Sequence, residues 1–335
     1  MEGKRVLITG GAGFIGSNLA HHLSQRNEVV VIDDLSTGKM ANLAGFKGQF
    51  IKEDIRKLAK LPEGIDYVFH LAAYISVPGS VLEPEKNDDI NIAGTEKVLA
   101  ASRNAGVKKL IFASSAAVYG DVPEKELPVT EDLALRPASP YAGSKMTAED
   151  YCLAYNDMFG LGATVLRMFN VYGPRQDPGS QYAAVVPAFV NKVMKGQRPV
   201  IYGDGGQTRD FVFVGDVARA FELAAENKGS DGQVINIASG KGTSIKALAS
   251  EVARAAGKRL EPIFKPPRPG DVRHSVASVA KAKEVLGWDA RIPLSKGLGT
   301  VLAHLAKATG KRSGTKRGRP PSKKGSRARS PRTKR

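Results

Sequence analysis

Apolar positions follow two alternating rhythms over the first half of the chain. Short unbroken runs at Arg5–Thr9, Glu28–Ile32, Asp66–Leu71 and Lys109–Ala113 have the length and apolar density of strands buried on both faces. Between or after them, Gly13–Gln25, Asn91–Ala105 and Pro140–Phe159 carry helix-like patterns. Strand–helix alternation of this kind predicts an α/β protein with a doubly wound parallel sheet. Ala163–Phe169 reads as a further strand. Past about residue 175 the pattern turns irregular and richer in Pro and Gly. A first domain over 1–175 is therefore expected, with segments near 211–240 (Phe211–Asn227 and Gln233–Ala238) returning to it. Residues 176–310 are expected to form mainly a smaller, mixed domain.

Composition changes this picture at one place. Hydrophobic residues make up 42% of the 335, enough for a substantial core. The net charge of +17 suggests nucleic acid until its distribution is read. Residues 311–335 hold 12 of the 50 Lys/Arg and no acid, which leaves 38 basic against 33 acidic residues in the rest. The body is an ordinary, mildly basic globule, and 311–335 is expected to be a disordered basic tail. Within it, Lys316-Arg-Gly-Arg-Pro-Pro321 resembles the core of an AT-hook, a slim segment suited to the narrow minor groove of A·T-rich DNA. The plainer reading is a polycation that touches any anion. The two separate in a binding assay: full-length protein should bind A·T-rich duplex over G·C-rich duplex at low salt and lose this on truncation after Gly310, with turnover intact. Equal binding to both duplexes would leave only the polycation.

The single cysteine, Cys152, rules out an internal disulfide and fits a reducing, cytoplasmic setting. The first residues lead directly into an expected strand, unlike a signal peptide. No apolar run approaches the ~18–20 residues of a membrane span, so no membrane contact is expected. The five scattered histidines offer no metal-ligand spacing.

Thr9-Gly-Gly-Ala-Gly-Phe-Ile-Gly16 lies between the first expected strand and helix. Gly10, Gly13 and Gly16 would let the backbone turn and approach a pyrophosphate, with Phe14 and Ile15 opening a helix whose N-terminus faces it. Such a turn alone is a weak signal, but its setting matches a dinucleotide-binding Rossmann unit. Asp33 ends the second strand, 20 residues after Gly13. A carboxylate there would bond the adenosine ribose and repel a 2′-phosphate, which favours NAD over NADP.

Tyr141-Ala-Gly-Ser-Lys145 opens a predicted helix and puts Tyr141 and Lys145 on one face. A phenol titrates near ~10 and is a poor base until a cation lowers it. Ser114-Ser-Ala-Ala-Val-Tyr-Gly120 ends a predicted strand, with Ser115 26 residues before Tyr141.

Together with Asp54-Ile55, His70-Leu-Ala-Ala73 and Asn91-Ile-Ala-Gly-Thr95, these motifs resemble the extended short-chain dehydrogenase/reductase family up to about residue 305. The resemblance implies that Asp54 and Ile55 line the adenine, that Leu71, Ala72 and Ala73 run past the dinucleotide, and that Asn91 supports the same region. It implies a catalytic Ser115, Tyr141 and Lys145, with Lys145 also contacting the nicotinamide ribose. A homodimer through helices 91–105 and 140–159 would follow.

Members of this family oxidise C4 of a nucleotide sugar and then diverge. Dehydratases place a carboxyl acid/base pair after the Ser/Thr, and decarboxylating relatives a glutamate. Here stand Ala116 and Ala117, and the Ser-Ala-Ala run resembles UDP-glucose 4-epimerases. The resemblance assigns Arg209 and Arg268 to the UDP-sugar pyrophosphate, Asp271 to the nucleoside ribose, Asn170 to the sugar or diphosphate, and Tyr202 to the uracil. Ser275 would set the width beside C2, where a small residue admits an N-acetyl group. The chain departs from related epimerases at Tyr74 and Gly79, where a polar and a basic residue are expected. Two alternatives stay open: another NAD-dependent nucleotide-sugar epimerase or reductase, and an NAD-sensing regulator that binds DNA through its tail.

Overall fold

The computed structural model describes residues 1–177, 184–267 and 272–308. The predicted substrate residues Arg268 and Asp271, and the tail 311–335, lie outside the described residues. The strands in chain order are β1 (Arg5–Thr9), β2 (Glu28–Asp33), β3 (Gln49–Lys52), β4 (Tyr67–His70), β5 (Lys109–Ser115), β6 (Gly162–Met168) and β7 (Asn170–Tyr172). They continue with β8 (Val200–Tyr202), β9 (Thr208–Phe213), β10 (Gln233–Ile237), β11 (Gly242–Ser244), β12 (Ile263–Lys265) and β13 (His274–Ser275). The helices are α1 (Phe14–Leu23), α2 (Val77–Leu82), α3 (Pro84–Asp88), α4 (Gly94–Asn104) and α5 (Pro140–Phe159). After them come α6 (Val185–Met194), α7 (Val214–Glu226), α8 (Ile245–Ala255), α9 (Ala280–Leu286) and α10 (Leu294–Ala308).

Seven strands pair in parallel in the order β10-β6-β5-β4-β1-β2-β3. Side-chain alternation gives the central strands two buried faces. Val6, Ile8, Val29, Val31, Phe69 and Ile111 pack with Leu19 and Leu23 of α1 and Phe221 of α7. Leu7, Val30, Ile32, Val68 and Leu110 pack on the other side with Val98 and Leu99 of α4 and Ala148 and Cys152 of α5. Each such aliphatic residue, fully buried, stabilises the fold by about 1.5–3 kcal/mol. Cys152 is thus a core residue.

The order matters for function. From β1 the chain builds outward to β3, then crosses back to β4 on the other side. That reversal leaves a crevice beyond the C-terminal ends of β1 and β4, the place where such sheets bind ligands. A smaller sheet joins β11-β9-β13, with β7 also on β9, and β12 pairs with β8. A third apolar cluster, including Phe189, Val190, Leu248, Val252 and Leu298, ties α6, α8 and α10 together.

The expected helix over Asn91–Ala105 is not uniform. A wide i→i+5 turn over Asp89–Ala93 precedes α4, a local widening often found at functional sites. Among the described residues no helix is long and apolar enough to cross a membrane, and no group of His, Cys, Asp and Glu is arranged to hold a metal.

Candidate active site

A cleft with about 980 Å³ of empty space opens at the crevice. One wall is the glycine-rich turn. Gly10 sits at φ +68°, and a Cβ there would lie 2.6 Å from the Ala72 backbone nitrogen. A Cβ on Gly16 would lie 2.2 Å from the Gly10 carbonyl oxygen. Only glycine lets the turn and the first helical turn close this tightly. Gly13 caps α1, whose Phe14, Ile15 and Gly16 join it in the cleft wall. The unpaired N–H groups of that helix end suit a pyrophosphate.

Asp33 is almost fully buried at the end of β2. Its carboxylate accepts the Ala12 N–H at 2.9 Å and the Leu35 N–H at 2.8 Å. Burial pushes its pKa up, and these backbone donors oppose that. A carboxylate has about four acceptor positions, so Asp33 can hold the glycine turn and still receive ribose hydroxyls from the cleft it lines. Asp54, Ile55, Leu71, Ala72 and Ala73 also line the cleft. Asn91 does not: it is buried, and its side chain grips Tyr74, accepting its N–H at 2.7 Å and donating to its carbonyl at 3.1 Å.

Three side chains meet beside this cleft. Ser115 ends β5, its hydroxyl accepts the Ala117 N–H at 3.2 Å, and it lies near enough to the Tyr141 phenol to favour the phenolate. Tyr141 lies in the first turn of α5, which Ser139 caps and Pro140 opens. Lys145 lines the cleft one turn on and is 4% exposed. Its ammonium donates to the Ala113 carbonyl at 2.9 Å and lies 4.7 Å from the Phe112 ring centre. Burial pulls it down to about 8, against the Cys152 and Glu149 side chains. Burial pushes the Tyr141 phenol up, with the Ser115 side chain opposing. The polypeptide by itself therefore does not lower Tyr141. The Lys145 ammonium is directed at the Ala113 carbonyl and not at the phenol. Ala116 and Ala117 begin a short helical turn and carry nothing that moves a proton.

The remaining predicted residues sit apart from the described cleft wall. Asn170 begins β7, opposite Phe211. Tyr202 ends β8. Arg209 on β9 is directly paired with Ser275 on β13, so these two predicted substrate residues are neighbours. The departures at Tyr74 and Gly79 are one feature. The Tyr74 hydroxyl donates to Glu83 at 2.9 Å and stands 2.4 Å from where a Gly79 Cβ would be. A larger residue at 79 requires a smaller or redirected one at 74.

The sequence reading missed Asp34, Ser36 and Thr37, which also line the cleft. A signal was present: a polar run directly after a buried parallel strand lies where such sheets bind ligands. It also missed Ser80, whose buried hydroxyl accepts the Tyr141 backbone N–H at 3.1 Å.

Residues 6–238 match the NAD dependent epimerase/dehydratase family. The chain is 41% identical to the UDP-glucose 4-epimerase of Mycolicibacterium smegmatis over 306 residues, 88% of this chain and 96% of that one. Its fold is similar to that of the UDP-N-acetylglucosamine 4-epimerase of Methanobrevibacter ruminantium, solved with UDP-N-acetylmuramic acid, at TM-score 0.88 and 39% identity over 92% of this chain and 100% of the other. It is similar also to the UDP-glucose 4-epimerase of Thermotoga maritima, solved with UDP-glucose, at TM-score 0.85 and 40% identity over 91% and 99%.

Proposed function

The chain belongs to the NAD dependent epimerase/dehydratase family, and from that premise we propose that it is a UDP-sugar 4-epimerase acting on UDP-glucose and UDP-galactose and on their N-acetylated counterparts. The observation that carries this reading is Ser115 beside the Tyr141 phenol, with Lys145 one turn on in the cleft wall and two alanines after Ser115 where a dehydratase needs acid/base groups.

The cleft fits NAD. Gly10 and Gly16 let the turn close on Ala72 and on the start of α1 where no Cβ fits, which presents the helix N-terminus to a pyrophosphate, and Asp33 suits a free adenosine ribose and not a phosphorylated one. Bound NAD supplies the two-electron acceptor and donor for the hydrogen on C4. Tyr141 removes the proton of the 4-hydroxyl, and Ser115 hydrogen-bonds the same oxygen. Lys145 would hold the nicotinamide ribose, and the positive nicotinamide ring would favour the phenolate. The 4-keto sugar then presents its other face, and Tyr141 returns the proton. Arg209, with Arg268, holds the pyrophosphate; Asn170, Tyr202 and Asp271 bind the sugar, uracil and ribose ends. Homodimerisation through α4 and α5 belongs to the same proposal, supported by exposed Tyr151, Met158 and Phe159 on α5.

The test is incubation with a panel of UDP-sugars and separation of the products. Interconversion at C4 is expected, and reduction or dehydration products would overturn the reading. Within that panel, the pairing of Ser275 with Arg209 makes Ser275→Tyr informative. It should remove activity on the acetylated pair by steric exclusion and spare the plain hexoses. A wild type inactive on acetylated sugars would sink this assignment of the wall.

A further inference from the structure

The last residue of β4, His70, is fully buried, and both its ring nitrogens are hydrogen-bonded. Nδ1 lies 2.7 Å from the Thr9 hydroxyl, and Nε2 lies 2.9 Å from the Thr95 hydroxyl. The direction of each bond follows from counting protons. Thr95 donates its one hydroxyl proton to the Asn91 carbonyl at 2.6 Å, so towards His70 it only accepts. Nε2 therefore carries the proton. Thr9 already accepts the Leu71 N–H at 3.2 Å and the Ala72 N–H at 3.3 Å. Its own proton is left for Nδ1, which in the neutral Nε2–H ring is an acceptor. Every bond in the chain points the same way, from the Leu71 and Ala72 amides through Thr9, His70 and Thr95 to Asn91, an arrangement in which each bond polarises the next.

The two ends of this chain are what give it meaning. Leu71 and Ala72 are a wall of the cleft, packed so closely on Gly10 that no Cβ fits between. Asn91 at the other end grips Tyr74 and donates to Ser144 at 3.0 Å. Ser144 in turn donates to the Tyr141 carbonyl at 2.9 Å. We propose that His70 is a positioning residue for NAD: locked as the neutral Nε2–H tautomer, it holds the Leu71–Ala72 backbone against the glycine turn and ties that wall to the helix bearing Tyr141 and Lys145. The proposal rests on the reading of the cleft as the NAD site. Burial pulls the imidazole down to about 3, and the Lys145 charge adds to this, so the neutral ring persists at working pH.

The experiment has two arms, both on the full chain without substrate. In the first, histidine-labelled wild-type protein is examined by long-range nitrogen–proton NMR. His70, identified by the signal lost in His70→Gln, should show the Nε2–H pattern and not titrate between about pH 5 and 8, unlike an ordinary histidine. An Nδ1–H ring or an imidazolium would overturn the proposal. In the second arm, NAD affinity is measured by calorimetry for Thr95→Val and Thr95→Ser. The valine leaves the His70 N–H buried without an acceptor, and the Kd for NAD should rise about tenfold or more. The serine keeps the hydroxyl and should bind as the wild type does. A Thr95→Val protein that melts lower but binds NAD unchanged would mean that the chain only stabilises the fold, and would overturn the positioning role. A wild type that does not bind NAD would refute the reading of the cleft instead, while the NMR arm still decides the tautomer.

Discussion

Tyr141→Phe should lower turnover by at least ~10²-fold and leave NAD binding and the fold in place. The substitution removes one oxygen. The ring stays, the Tyr141 backbone N–H still reaches Ser80, and the Ser139 cap on α5 is untouched. What is lost is the hydroxyl beside Ser115. A ~10²-fold loss corresponds to about 2.7 kcal/mol of barrier, the expected effect of removing a general base and acid. Lys145→Ala should also cripple turnover but with a different signature, since it removes a wall of the cleft as well as a charge; NAD affinity should fall with it. Steady-state rates for both variants, with the NAD content of the purified proteins, check the pair. Near-normal turnover in Tyr141→Phe would remove Tyr141 from the chemistry.

The parts of this site that were legible in the sequence are those whose signals are local. Glycine at 10 and 16 reports a backbone constraint that the neighbouring residues already imply. Helix α5 starts and stops where Ser139-Pro140 and Gly160 say it should, because a cap, a preset φ and a left-handed exit are written in single residues. What could not be read is what depends on partners distant in the chain. Ser80 meets Tyr141 across 61 residues, and Asn91 meets Ser144 across 53. No spacing rule connects such pairs. Strand β3 was missed for a different reason. Gln49-Phe-Ile-Lys52 is a four-residue edge strand whose apolar residues are only half-buried, so it has neither the length nor the apolar density of the central strands. The two- and three-residue strands β7, β8, β11 and β13 are too short to show any period. The lowering of Tyr141 was anticipated from the four-residue spacing to Lys145, yet spacing does not say where an ammonium points, and Ala113 receives it.

Arg167→Met should destabilise the protein by about 3–5 kcal/mol, because it strands a buried carboxylate. Glu149, two turns beyond Tyr141 on α5, is 2% exposed, and Arg167 on β6 is 5% exposed. The guanidinium donates to Glu149 at 3.0, 3.1 and 2.7 Å and to the Tyr119 hydroxyl at 3.0 Å. The same carboxylate accepts a hydrogen bond from Ser114, the residue before Ser115. The pair thus joins β5, β6 and α5 next to Ser115 in the chain. Both charges have lost their water, so the cost of burying each is offset only by the other, and removing one leaves that cost uncompensated. In a domain of this size the loss should appear as a fall in Tm of roughly 10 °C. Arg167→Lys keeps the charge but not the planar fork, and should fall between the two. The double variant Glu149→Leu, Arg167→Met should recover much of the loss, since a packed apolar pair often replaces a buried ion pair at little cost, though Ser114 and Tyr119 lose partners in it. Thermal melts of these proteins, with the single Glu149→Leu variant to complete the cycle, measure the coupling. If the single Arg167→Met change melts within about 1–2 °C of the wild type, water or a rotated Glu149 must relieve the stranded charge, and the network would not be what holds Ser114 and its neighbour in place.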